Sequence, residues 1–506
     1  MIPRRSRSGL RGAGFASAVL LVGAVTLAPV WLSPVLATND GPSHVYNAVL
    51  ADGVRAGRAP FATYFQLEGG LKPDMVSHAL LSTLGPPAGW DAAERIVVAI
   101  AMAATIAVLL ALFSASGATV PALLAPLAGW LATNWFVWGG AYDFALSIPW
   151  YAGLLLVLRR PLTPWRHIGV QGLLGLLYLT HFFTFAAGIA LVIAVVGWQA
   201  LIGSAPWRRL VLVAPALVLL AIEMLSGGPG TGSVLPGDAW DALRGLVIGD
   251  FVVSVTPLDV LAGVLIMAGT WIVVARRWGE ARRSGLRALA GEEVFGLALL
   301  VLSLVAPSGV GEGTYIPIRM RFLGVLALTP AIAQAAAALR PARLAVIGVA
   351  LLAALGVHTT ALVNDARAAD RNLALIDELL TAAGASDGSW VVTRWTMYRR
   401  GLFHVAGYRH LMDRVAARRN MIVLDNYEAL YGVFSTMWRR PPDWIQFRPS
   451  TSGLTVRLAP GSIRWPGGVF VLHESDRVLQ IADPRLQLVR SAVGGPFAVT
   501  LVRRRE

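Results

Sequence analysis

The chain contains no cysteine, which excludes disulfides, thiolate metal sites and cysteine nucleophiles. Charge is scarce as well. Only 14% of the 506 residues are charged, against about 25% in soluble domains. Lys72 is the only lysine, so the net charge of +14 is carried by arginine. No Walker-type phosphate loop occurs, which argues against ATP-driven transport, and there is no His-Glu-x-x-His metalloprotease helix. Pairs of Gly/Pro-interrupted helices at matching positions in two halves, the mark of inverted-repeat transporters, are missing too.

Apolar residues, in contrast, are abundant: 56% are hydrophobic and the mean hydropathy is +0.62. A transmembrane helix needs about 20 mostly apolar residues. With that ruler the sequence offers eleven spans, near 13–36, 93–113, 119–137, 144–158, 168–181, 182–203, 210–225, 258–275, 293–307, 321–338 and 343–363. Thr180-His181 is the polar interruption at which a run too long for one helix divides into two. The first span also reads as a signal peptide with a cleavage site at Val35-Leu36-Ala37. Its apolar run exceeds the 7–15 residues usual for such a segment, which favours an uncleaved span.

Arginine tests the topology, because cytoplasmic loops collect positive charge. With the N-terminus inside, the inner segments hold sixteen arginines, including Arg276, Arg277, Arg282, Arg283 and Arg287. The longer outer loops before residue 364 hold five basic residues. An odd number of spans then places the C-terminus outside. The expected fold class is a polytopic α-helical membrane protein in the plasma (inner) membrane. The transmembrane domain covers 1–363, with an outer loop at 38–92, and an extracytoplasmic α/β domain covers 364–506. In that tail, β-branched runs (Trp390-Val391-Val392, Met421-Ile422-Val423-Leu424, Val469-Phe470-Val471-Leu472) alternate with helix-like stretches such as 397–418. The inner arginines are therefore an orientation signal and no argument for nucleic acid.

Ionisable groups at membrane depth are costly and are usually functional or paired. Asp40 follows the first span directly, in Asn39-Asp40-Gly41-Pro42-Ser43-His44-Val45-Tyr46. It either faces a substrate at the outer boundary or caps a short helix that starts at Pro42. His44 lies one helical turn on, and Pro73-Asp74 with His78 repeats the pattern. Asp143, next to the aromatic turn Trp135–Tyr142, is either a second functional acid or a first-turn helix acid. Together Asp40 and Asp143 would suit a divalent cation, Mg or Mn, through oxygen ligands. His181 and Glu223 interrupt apolar runs. Glu312 opens the segment into the tenth span, where Arg319 and Arg321 are either a phosphate fork or a snorkelling pair at lipid headgroups.

This arrangement resembles the C-type (GT-C) glycosyltransferase superfamily: many spans, an acid after the first, a long first outer loop and a C-terminal outer α/β domain. Its members are membrane enzymes that use polyprenyl-phosphate-linked sugars. The resemblance implies Asp40 as the essential first-loop acid. Its neighbour is Asn39, so the two-carboxylate form of the motif is not reproduced. Asp143 is implied as a second-loop acid, and Arg319 and Arg321 as the holders of the lipid phosphate. His181 matches a histidine of some related sequences, and 497–505 resembles the last strand of the family's tail domains. The implied reaction is an inverting transfer with Asp40 as general base, and His44, Tyr46, His181 and Glu312 join the substrate-contact candidates. It would use no nucleotide cofactor. The acceptor would be a glycan, lipid or protein, with membrane lipids around the site. A lipid or solute transporter and a non-catalytic scaffold of an envelope-glycan complex are the competing readings. The acids cluster at outer ends of spans rather than mid-span, which favours chemistry at the outer face over transport.

Overall fold

The computed structural model describes residues 7–505, except Leu71, 118–120, 161–162, Ala205, 226–233, 311–312, 395–409, Tyr427, 430–435, Pro441, 451–452, Pro460 and 462–464. The chain divides into two compact units. One comprises Met1–Pro29, Ala99–Val137 and Asp143–Ala361; the other comprises Val30–Val98, Trp138–Tyr142 and Leu362–Glu506.

The first unit is helical. Among the described residues of the whole chain, six helices are long and apolar enough to cross a membrane: Phe15–Leu32, Trp90–Ala115, Phe182–Leu201, Pro257–Ser284, Ile316–Ala337 and Pro341–Ala382. The other expected spans appear as shorter helices: Ala125–Ala132, Tyr142–Leu158, Pro164–Thr180, Ala214–Leu225 and Gly291–Leu302. The protein is thus a polytopic helical membrane protein. Two expectations change in detail. The run 119–137 is not one helix, because the Asn134 side chain accepts from the N–H groups of Phe136 (3.0 Å) and Val137 (3.3 Å). That local competition ends one helix and starts Trp135–Trp138. The last span does not stop near 363 but continues to Ala382. The division at His181 is where the sequence places it: His181 is extended (φ −162°, ψ 119°) and its ring accepts from the Thr184 N–H.

The second unit is built on a five-stranded mixed sheet in the order Leu486–Gly494, Phe497–Arg504, Val469–Glu474, Trp390–Arg394, Ile422–Val423. All six residues of Val469–Glu474 are buried, as a central strand requires, and their apolar runs on both faces are why the sequence reads as strand. Val469–Glu474 pairs in parallel with Trp390–Arg394 and antiparallel with Phe497–Arg504. Three further strands, Val478–Ile481, Gly453–Ala459 and Trp444–Ser450, form a separate sheet.

The loop after the first span belongs to this unit. Its strand Phe65–Leu67 pairs antiparallel with Thr436–Trp438, and the rings of Phe65, Trp438, Trp390 and Tyr64 pack in succession with centroids 4.1–5.9 Å apart. Helix Gly41–Arg55 docks through one face, as residues three and four apart must. Ser43 Oγ donates to Glu428 (2.5 Å), Tyr46 Oη bridges Met421 O and Val423 N–H, and Asn47 and Asn426 exchange amide hydrogen bonds.

Candidate functional site

Asp40 precedes helix Gly41–Arg55 but makes no side-chain capping bond; its backbone is helical (φ −96°, ψ −10°). The capping reading therefore fails, and the carboxylate is turned elsewhere. Asn39 Nδ2 donates to Asp40 Oδ1 (2.6 Å), and His410 Nε2 lies 3.6 Å from the same oxygen. The side chain is 27% exposed. Its backbone is held from the other side. The Asn39 and Asp40 N–H groups donate to Trp138 O and Gly139 O. Gly140 (φ +79°) comes so close that a Cβ there would sit 2.3 Å from Gly41 N. Only glycine accommodates both that φ and that approach.

His410 stands just before helix Leu411–Arg418, and its Nδ1 is 2.8 Å from Asp413 Oδ2. Burial opposes charge on this imidazole. Asp413, then Asp40 and Glu428, outweigh it and push the pKa up to about 9. His410 is thus an imidazolium at neutral pH. Burial pushes Glu428 up to about 7 despite the pull of His410. Burial and the charge of Asp413 raise Asp425 as well. His44 is the opposite case: burial, with His410 adding, lowers it to about 3. Its Nδ1 is 3.1 Å from His78 Nε2, and its ring packs 5.2 Å from Tyr142. Tyr46, expected to contact substrate, is fully buried and its hydroxyl is committed to strand backbone, so it fastens the helix that carries Asp40.

Beneath Asp40 lies a buried polar cluster. Tyr142 Oη donates to Glu94 (2.6 Å) and is 3.1 Å from Thr38 Oγ1. Arg414 donates to Glu94 (2.6 Å) and Asp91 (2.5 Å).

The other expected residues lie in the helical unit. Asp143 is buried in the first turn of Tyr142–Leu158. Arg321 is only 2% exposed and is held bidentate by Asp250: Nε donates to Oδ1 at 2.9 Å and Nη2 to Oδ2. This corrects the snorkelling alternative, and it leaves the guanidinium committed to a carboxylate rather than presented as a phosphate fork. Arg319 is half-buried, over Phe144 (5.4 Å) and Phe183 (5.9 Å). The His181 ring meets Phe144 edge-on at 5.0 Å, and Glu223 accepts from Tyr178 Oη at 2.5 Å. Glu312 lies outside the described residues. Among the described residues no group of three or more His, Asp or Glu is arranged to hold a metal.

Sequence reasoning missed His410, Asp413, Glu428 and Asp250. A local signal existed for the first two, since His410-x-x-Asp413 is an i,i+3 pair at a helix start. For the others there was none, because their partners are far along the chain.

No protein-family model and no curated protein matches the chain. Among solved structures, the chain is similar to one described as the crystal structure of ArnT from Cupriavidus metallidurans in the apo state. The likeness has 14% sequence identity and a TM-score of 0.47, and covers 96% of this chain and 97% of that one.

Proposed function

We propose that the protein is an integral membrane glycosyltransferase of the GT-C type. It would move a sugar from a polyprenyl-phosphate donor to an acceptor hydroxyl at the outer face of the membrane. The observation that carries this reading is Asp40: a partly exposed carboxylate directly after the first apolar helix, spent on no helix cap and faced by a buried imidazolium. In this mechanism Asp40 removes the proton from the acceptor hydroxyl. The freed oxygen attacks the anomeric carbon, and the bond from that carbon to the phosphate oxygen breaks. The bonding pair leaves with polyprenyl phosphate, so a single displacement inverts the centre. Asn39 and His410 fix the carboxylate, and Asp413 fixes His410. For the lipid phosphate, the resemblance implies a basic residue. With Arg321 committed to Asp250, Arg319 is the candidate we assign. The reading places the N-terminus in the cytoplasm and the tail outside.

The test is turnover in lipid with radiolabelled polyprenyl-phosphate sugar, measured as release of polyprenyl phosphate. Asp40→Asn is expected to lower the rate by about 10²–10⁴-fold, the range for loss of a general base, with an unchanged unfolding temperature. Unaltered turnover would remove Asp40 from the mechanism.

A further inference from the structure

The tail contains a cavity of about 480 Å³, within the range of small-molecule sites. Its floor is one face of the five-stranded sheet. Phe470 and Leu501 pair across two strands, and Leu501 is opposite Arg490 on the next. Opposed residues point to the same face. Arg503, two residues beyond Leu501, shares that face by the strand's period of two.

Arg490 is there because of a bulge. Leu488 pairs with Val502, yet Arg490, not Val489, pairs with Leu501. The extra residue brings Arg490 opposite Leu501 and onto the cavity face beside Val489, which also lines it; bulges re-aim side chains in this way. Among the described residues no carboxylate pairs with Arg490 or Arg503.

The rim is glycine-rich. A Cβ at Gly384 (φ +87°) would lie 3.3 Å from Arg490 Nη1, and one at Gly468 (φ +112°) 2.7 Å from Arg503 Cγ. Arg503 Nε donates to Gly467 O at 2.7 Å, which fixes its fork. Ser386, Asp387 and Ser389 also line it. The run Gly384-Ala385-Ser386-Asp387-Gly388 has the spacing of a nucleophile elbow, but an elbow follows a strand and opens a helix. Here a helix precedes and strand Trp390–Arg394 follows, so Ser386 is a rim hydroxyl and not a nucleophile.

We infer that this cavity binds a saccharide bearing a carboxylate or phosphate. The two guanidinium groups would take the anionic end, while Asp387 and the serines take sugar hydroxyls. A ligand that was anionic throughout would be repelled by Asp387, and an apolar one would make no use of either arginine. The inference stands on the tail alone and holds whether or not Asp40 is a base.

Calorimetric titration of the full chain in neutral-lipid nanodiscs tests it. The probes are galactose oligomers ending in a single galacturonic acid, galactose 6-phosphate, neutral galactose oligomers and inorganic phosphate. An anionic sugar should bind at least tenfold tighter than both the neutral oligomer and inorganic phosphate; which anionic sugar does so identifies the source of the charge. Arg490→Gln, which removes no hydrogen bond within the described fold, should weaken that binding at least tenfold at an unchanged unfolding temperature, and adding Arg503→Gln should weaken it further. Equal binding of the neutral oligomer, equal binding of inorganic phosphate, or undiminished binding by the variants would overturn it.

Discussion

Replacing His410 by glutamine keeps a polar group beside Asp413 and Asp40 but cannot carry a charge. In the native protein the imidazole is pushed up to about 9 by Asp413 with Asp40 and Glu428, against its burial. In the unfolded chain it titrates near 6.5. The folded state therefore holds this proton more tightly. Raising the pKa from 6.5 to about 9 is worth about 3 kcal/mol. That contribution is complete below pH 6.5 and is lost as pH rises through about 9. Glu428 and Asp425, each raised to about 7, lose their own contributions between about pH 4 and pH 8, so they overlap the lower part of this window. His44, lowered to about 3, is neutral throughout and matters only on the acid side. For a unit of this size, about 3 kcal/mol corresponds to about 6–12 °C in the unfolding temperature. Tryptophan-monitored unfolding in detergent between pH 8 and pH 10, above the titration of both carboxyls, should show about 1.4 kcal/mol of that decline in the native protein and its absence in His410→Gln. The same alkaline decline in both proteins would refute the assignment of the charge to His410.

Two further outcomes follow from packing. Arg414→Leu leaves Glu94 buried without its cation; breaking one side of a buried pair costs about 3–5 kcal/mol. Arg414→Leu combined with Glu94→Gln should be less destabilised than Arg414→Leu alone, as read by urea midpoints in detergent. Tyr46→Phe removes the hydroxyl that joins Met421 O to Val423 N–H, leaving buried backbone groups unmatched at about 1–3 kcal/mol. Hydrogen exchange at Val423 should rise in that variant, and equal protection would show that the bridge holds nothing.

The membrane helices were legible because each is encoded by its own residues: an apolar run states its environment without reference to any other segment. The division at His181 was legible for the same reason, as were strands Trp390–Arg394, Ile422–Val423 and Val469–Glu474. Asp40 stood out because a carboxylate beside an apolar helix is unusual. What that carboxylate does was not local. Its cap geometry, its contact with His410, the commitment of Arg321 to Asp250 and the pairing of Phe65–Leu67 with Thr436–Trp438 all join segments remote in sequence. The placement of Arg490 at the cavity depends on a one-residue bulge that no periodicity announces. The sequence by itself determined which segments are apolar helices, which are strands and which acid is exceptional, since those follow from hydropathy and period along one stretch of chain. Only the tertiary structure decided which charges are paired and which are presented, because a charge's partner is set by long-range packing and its burial by the fold around it.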